Sequence, residues 1–223
     1  MHLTPLDFYP RFCHITEQIF EQLDNVSICK CREVSTVWKD CIDNKNISWI
    51  RIIDIPSTED NWRLRKYLTP FHIACRFGLF KISKLIIEKS SELNIDLNAK
   101  GTYGKTPFHL ACEYGHLSVA DLIMKNSLEF KIDLSASCKF WRMGQTALHL
   151  ACYNGHSKIA ELIILKAGQL KIDVNKRDGE CKRAIHEACS NGLIDVVQLL
   201  IKKSKEFKID MNTRGYYERT GFS

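Results

Sequence analysis

Histidine and cysteine recur together along this chain, and that pair is the first feature that could do chemistry. His72/Cys75, His109/Cys112, His149/Cys152 and His186/Cys189 are each spaced i, i+3. On a helix that spacing places both side chains on one face, enough for two of the four ligands of a structural zinc. The other two would have to come from a neighbouring helix. Packed helices lie about 8–10 Å apart, too far for equivalent positions to share an ion held by bonds of about 2 Å. The pairs are therefore read as structural, and neither a metal nor another cofactor is expected. Cys13, His14, Cys29, Cys31 and Cys41 form a second set, but Cys-x-Cys is tighter than the usual zinc spacing. No nucleophile elbow, phosphate loop or paired carboxylate arrangement appears. No catalytic residue is expected, and the chain is not read as an enzyme.

A repeat positions the His/Cys pairs. Ten residues recur almost unchanged: TPFHIACRFG from Thr69, TPFHLACEYG from Thr106, TALHLACYNG from Thr146 and RAIHEACSNG from Arg183. The steps are 37, 40 and 37 residues, and a fifth start at Thr220 ends the chain as TGFS. Threonine as N-cap and proline at the first helical position open a short helix. Gly78, Gly115, Gly155 and Gly192 close it, where a left-handed residue is needed. A longer helix follows, with apolar columns Ile82/Val119/Ile159/Val196, Leu85/Leu122/Leu162/Leu199 and Ile86/Ile123/Ile163/Leu200 at i, i+3, i+4. Each unit ends in a tail, LNIDLN, FKIDLS, LKIDVN or FKIDMN, before turn-prone residues lead to the next.

Thr-Pro-Phe-His-Leu-Ala-Cys with Tyr-Gly-His, a leucine-rich helix and Ile-Asp-Leu-Asn resembles the ankyrin repeat. The resemblance covers residues 69–223. The family period is about 33 residues, so these units are longer. The excess falls mainly between the outer helix and the Ile-Asp tail, with a further insertion from Ser137 to Met143. In the fourth repeat Arg183 replaces the capping threonine and Cys181 the usual glycine, so that hairpin is expected to be the least regular. The resemblance implies an all-α solenoid of helix pairs joined by hairpin loops, its concave side lined by hairpin tips and inner helices. By motif position the partner-facing residues are Arg76, Phe77, Tyr103, Lys105, Glu113, Tyr114, Arg142, Met143, Tyr153 and Asn154. Aromatic and arginine side chains dominate binding hot spots. Phe77, Tyr114 and Tyr153 fall in adjacent columns and are read as a contact stripe, although single exposed aromatics are also normal on a surface. The fifth repeat stops within its inner helix. Side chains of the fourth repeat, Val197 and Leu200 among them, are expected to lack part of their cover. The C-terminal segment is expected to open first, in a chain that is a fragment or a short family member.

Residues 10–51 do not follow the repeat. Ile15 to Leu23 has helical apolar spacing, and Cys31-Arg32-Glu33-Val34-Ser35-Thr36-Val37-Trp38 precedes a late Trp49. This pattern resembles an F-box, with Pro10, Phe12, Ile15, Ile19 and Phe20 in the positions that such domains turn toward the Skp1 adaptor. The family's Leu-Pro pair should fall at Arg11-Phe12 and is absent. The other reading is a helical cap that shields the first repeat, as arrays require for solubility. Residues 52–68 are read as a linker or partial capping segment.

Composition bounds the rest. Of 223 residues 45% are hydrophobic and 26% charged, as in a soluble globular protein. No apolar run approaches a membrane span, and the first thirty residues lack a secretory h-region. Ten cysteines, four of them on the repeat ladder, point to reduced thiols in the cytoplasm or nucleus. Net charge is −2 over residues 1–50 and +8 over 51–223. The excess could favour an acidic partner or be a solvated face, and no basic block suggests nucleic acid. The expected molecule is a monomeric substrate-recognition adaptor of a Skp1–cullin–F-box ubiquitin ligase, with a protein target on the array and no membrane association. The alternative is an ankyrin scaffold with a helical cap and no link to ubiquitin.

Overall fold

A computed structural model describes residues 68–92, 94–139 and 144–209. These residues form nine α-helices and one 3-10 turn, and no strand among them exceeds a single antiparallel bridge between Cys138 and Gln145. Eight helices form four pairs. They are α1 (Pro70–Arg76) with α2 (Phe80–Glu88), α3 (Pro107–Glu113) with α4 (Leu117–Asn126), α5 (Ala147–Tyr153) with α6 (Ser157–Leu170), and α7 (Ala184–Ser190) with α8 (Ile194–Lys202). One further turn, α9 (Ser204–Phe207), closes the order. Inner helices pack on inner helices and outer on outer, so one continuous core runs from Phe71 to Ile209.

Each inner helix is seven residues long, too short to persist alone. Its ends and its neighbours hold it. At the start, the Thr69 amide and hydroxyl both reach Nδ1 of His72, at 3.1 and 2.8 Å, and the His72 amide returns to the hydroxyl at 3.4 Å. Thr106/His109 and Thr146/His149 repeat the reciprocal cap. At the other end, Leu79, His116, His156 and Leu193 donate their amides to Ala74, Ala111, Ala151 and Ala188, each at 2.9 Å. This is the helix stop in which a left-handed glycine turns the chain back over the last carbonyls. The glycines take φ values of 67, 78, 77 and 64°.

The tails are Asx turns. Asp96, Asp133 and Asp173 accept the amides of Asn98, Ser135 and Asn175 at 2.8, 2.9 and 2.8 Å. Asn98 then reaches the next repeat, donating to the Lys131 carbonyl at 2.9 Å and accepting from the Asp133 amide at 2.7 Å.

Two expectations are corrected. The fourth-repeat hairpin is regular. Asp178 donates its amide to Lys182 O at 2.8 Å and Cys181 to Asp178 O at 3.0 Å, matching Gly101 to Lys105 and Gly104 to Gly101 at 2.8 and 3.0 Å. Cys181 adopts φ 57°, and Asp178 Oδ1 holds the turn through the Glu180 and Lys182 amides, both at 2.9 Å. What Arg183 does change is the cap. His186 Nδ1 still accepts the Arg183 amide at 3.0 Å, but arginine has no hydroxyl to complete the box. Second, Leu200 is 1% exposed. Its column faces back toward α7 and α6, on which α8 packs. The reduced cover expected at Val197 is seen: it is only partly buried where Ser83, Ala120 and Ala160 are buried, and on α7 Cys189 is partly exposed, whereas Cys75, Cys112 and Cys152 are fully buried.

Candidate partner-binding face

Arg76 ends α1. Its guanidinium carbon lies 5.8 Å from the centroid of the Phe77 ring and 5.1 Å from that of Tyr114 on the next repeat, a cation–π arrangement bridging two units. A second histidine sets the spacing of those units. Nε2 of His116 donates to the Arg76 carbonyl at 2.8 Å, and Nε2 of His156 to the Glu113 carbonyl at 2.9 Å. Leu193 occupies that position in the fourth repeat. There Asn191 Nδ2 substitutes, donating to the Cys152 and Tyr153 carbonyls at 3.1 Å each. The sequence shows His116 and His156 but not their role, because the tie runs about forty residues back to a main-chain oxygen.

Phe77, Tyr103, Tyr114 and Tyr153 are 39%, 43%, 43% and 52% exposed. Each ring thus keeps a large apolar area in water that a partner would gain by covering. Tyr103, at φ 58° on the hairpin, and Asn154, capping α5 through a 2.8 Å bond to Leu150 O, flank them. Burial raises the Tyr114 hydroxyl above its ordinary range, with Arg76 opposing and Glu113 adding to the shift, so it stays protonated and able to donate.

Lys105 corrects the expectation that it faces outward. It is 8% exposed, and its Nζ lies 2.7 and 2.8 Å from the two carboxylate oxygens of Glu113. The backbone sets this direction. The Lys105 carbonyl accepts from the Gly101 amide at 2.8 Å and from His72 Nε2 at 3.0 Å, which turns the side chain along α3. Glu113 is partly buried and committed to the same pair. Arg142 and Met143, and the adaptor-facing Pro10, Phe12, Ile15, Ile19 and Phe20, lie outside the described residues.

The first histidine column is occupied by the fold. Nδ1 of His72 accepts from Thr69 and Nε2 donates to Lys105 O, a pattern only the neutral ring satisfies. Burial lowers the pKa of His72 and His109 to about 4, against opposing backbone carbonyls. It lowers that of His149 in the same way, with Lys182 O opposing. Burial pushes the Cys75, Cys112 and Cys152 thiols well above their ordinary range, the state least suited to metal binding or nucleophilic attack. No group of three or more potential metal ligands occurs among the described residues. None of their helices is long and apolar enough to cross a membrane.

Stacked helix pairs of recurring sequence, with half-exposed rings on the inner helices and hairpins, define a repeat-array protein. Comparison with known families places it further: ankyrin repeats match residues 41–136 and 127–214, and an F-box domain matches residues 13–50. The chain belongs to the ankyrin-repeat proteins and carries an F-box ahead of the array. Both are non-catalytic interaction modules. A comparison with curated proteins found no match.

Proposed function

We propose that this protein is a substrate-recognition adaptor of a Skp1–cullin–F-box ubiquitin ligase, acting in the cytoplasm or nucleus. The carrying observation is the order of modules, an F-box match at residues 13–50 ahead of an ankyrin array. F-box domains bind Skp1, and Pro10, Phe12, Ile15, Ile19 and Phe20 would supply that contact. The array would hold the target through Arg76, Phe77, Tyr103, Tyr114, Tyr153 and Asn154, with Arg142 and Met143 extending the face. The adaptor supplies no reacting group. Holding a target lysine near the conjugating enzyme raises its effective concentration, and that is the source of rate.

Co-purification tests the reading. Skp1 is expected with the intact chain and not with a chain lacking residues 1–51. Skp1 missing from the intact chain in mild salt would defeat the ligase role. The absence of Leu-Pro at Arg11-Phe12 favours the second reading, an ankyrin scaffold with a helical cap, which predicts a partner on the array and no Skp1.

A further inference from the structure

The inner helices and hairpins carry charges of both signs, but among the described residues the carboxylates are all engaged and several of the cations have no carboxylate partner. Asp96, Asp133 and Asp173 accept backbone amides in their own loops. Glu113 is held by Lys105 at 2.7 Å. Asp178 is buried and accepts from Glu180 and Lys182. Glu180 and Glu187 both face Lys182, at 3.1 and 3.9 Å. Every carboxylate on these elements thus has a donor or cation of its own.

The cations divide differently. Lys105 and Lys182 are spent on those carboxylates, and Lys176 Nζ donates to the Ser135 carbonyl at 3.0 Å. Arg76, Lys100, Lys139 and Arg177 have no carboxylate partner among the described residues. Lys100, Lys139 and Arg177 are exposed on three successive hairpins, and those hairpins are stacked. Lys139 donates its amide to Tyr103 O at 2.7 Å, and a Cβ placed on Gly144 would lie 3.5 Å from Asp178 Cα and 3.6 Å from the Gly179 nitrogen. Arg76 is the most confined of the four. Phe77 and Tyr114 hold its planar group, and among the described residues no carboxylate takes the edge N–H donors of the guanidinium. A carboxylate is the complement of that edge.

We propose that the array recognises an acidic polypeptide segment, one of whose carboxylates takes the Arg76 guanidinium between Phe77 and Tyr114. Further carboxylates follow the hairpins past Lys100, Lys139 and Arg177. This rests on the reading of the array as a partner-binding face and deepens it by naming the partner's chemistry. Half-exposed rings beside a cation held against them suit acidic residues interleaved with aromatic or apolar ones. Attraction of this kind falls as salt screens it, and reversing one contact charge places like charges together at the centre of the site.

The probe is a fluorescein-labelled random copolymer of glutamate and tyrosine, titrated against the full chain by anisotropy. Arg76→Glu is expected to weaken binding about tenfold or more and to flatten its salt dependence. Arg76→Gln keeps the aliphatic stem over the rings and should show a smaller loss in the same direction. Lys202→Glu makes the same charge change on α8, away from the hairpins, and should bind like the original. Equal affinity in all four proteins would overturn the proposal, as would tighter binding of a single-stranded oligothymidylate than of the copolymer. Skp1 retention, read on the same preparations, reports the ligase role and is expected to be unchanged by Arg76→Glu.

Discussion

Four glycines occupy one motif position, yet they do not carry equal weight. All take positive φ, and a non-glycine residue there costs about 1–2 kcal/mol. At Gly78 and Gly115 a second constraint is added. A Cβ would lie 2.4 Å from Nδ1 of His116 or 2.6 Å from Cε1 of His156, whereas nothing lies within 4 Å at Gly155 or Gly192. The His156 ring cannot swing aside without giving up its bond to the Glu113 carbonyl. Gly115→Ala is therefore expected to lose about 1–3 kcal/mol of overpacking beyond the backbone cost, and Gly192→Ala the backbone cost alone. Urea denaturation of the two variants measures the difference. Equal losses would show that the imidazole yields and that the tie between repeats is weak. Cys181 shows the limit of reading such positions from residue type. Its replacement of glycine suggested an irregular hairpin, but a neighbouring aspartate supplies the bonds that hold the turn.

Among the elements, the helices of the four units were the legible part. Threonine, proline and glycine punctuate the inner helices, and an i, i+3, i+4 apolar pattern marks the outer ones. The joints between units were less visible. Outer-helix ends reach the left-handed region at Asn94, Lys131, Lys171 and Lys208, where no glycine gives a cue. The exposure of Phe77, Tyr103, Tyr114 and Tyr153 was readable from motif position, but the direction of Lys105 was not, because it depends on the Glu113 carboxylate eight residues away. Asn98 is one such joint, accepting the Asp133 amide and donating to Lys131 O. Ser135 holds the same position one repeat later and is too short for the span. Asn98→Ala should cost about 1–2 kcal/mol, two exposed hydrogen bonds at roughly half to one kcal/mol each. Its signature is local, faster exchange of the Asp133 amide with the α3 amides little changed. An unchanged Asp133 rate would mean that the clasp contributes nothing.

At the scale of the whole molecule, stability depends on nearest-neighbour joints, and these contain buried imidazoles that the fold needs neutral. His72 and His109 have folded pKa values of about 4 against about 6.5 when unfolded. His149 is lowered too. Between those limits the unfolded chain binds more protons than the folded one, so stability rises with pH across the window. The contribution is complete above pH 6.5 and is lost as pH falls toward 4. At 1.36 kcal/mol per unit, His72 and His109 should each cost about 2 kcal/mol by pH 5. Against a total of about 5–15 kcal/mol for a domain, that is a large share. Neighbouring charges do not reverse the sign: Asp96 beside His72 and Asp133 beside His109 favour the charged ring, Lys105 disfavours it, and burial outweighs them. Asp121 titrates in a different window. Burial opposes its charge, but Lys125 and Lys166 outweigh that and hold its carboxyl below the ordinary carboxylate range, so its contribution is lost only in more acidic solution. Urea midpoints measured from pH 7 to pH 5 should therefore fall steadily, with the steepest change below pH 6.5. A flat profile across that range would mean that these rings keep an ordinary pKa in the folded chain, and that the threonine caps and inter-repeat carbonyls do not fix them as neutral donors and acceptors.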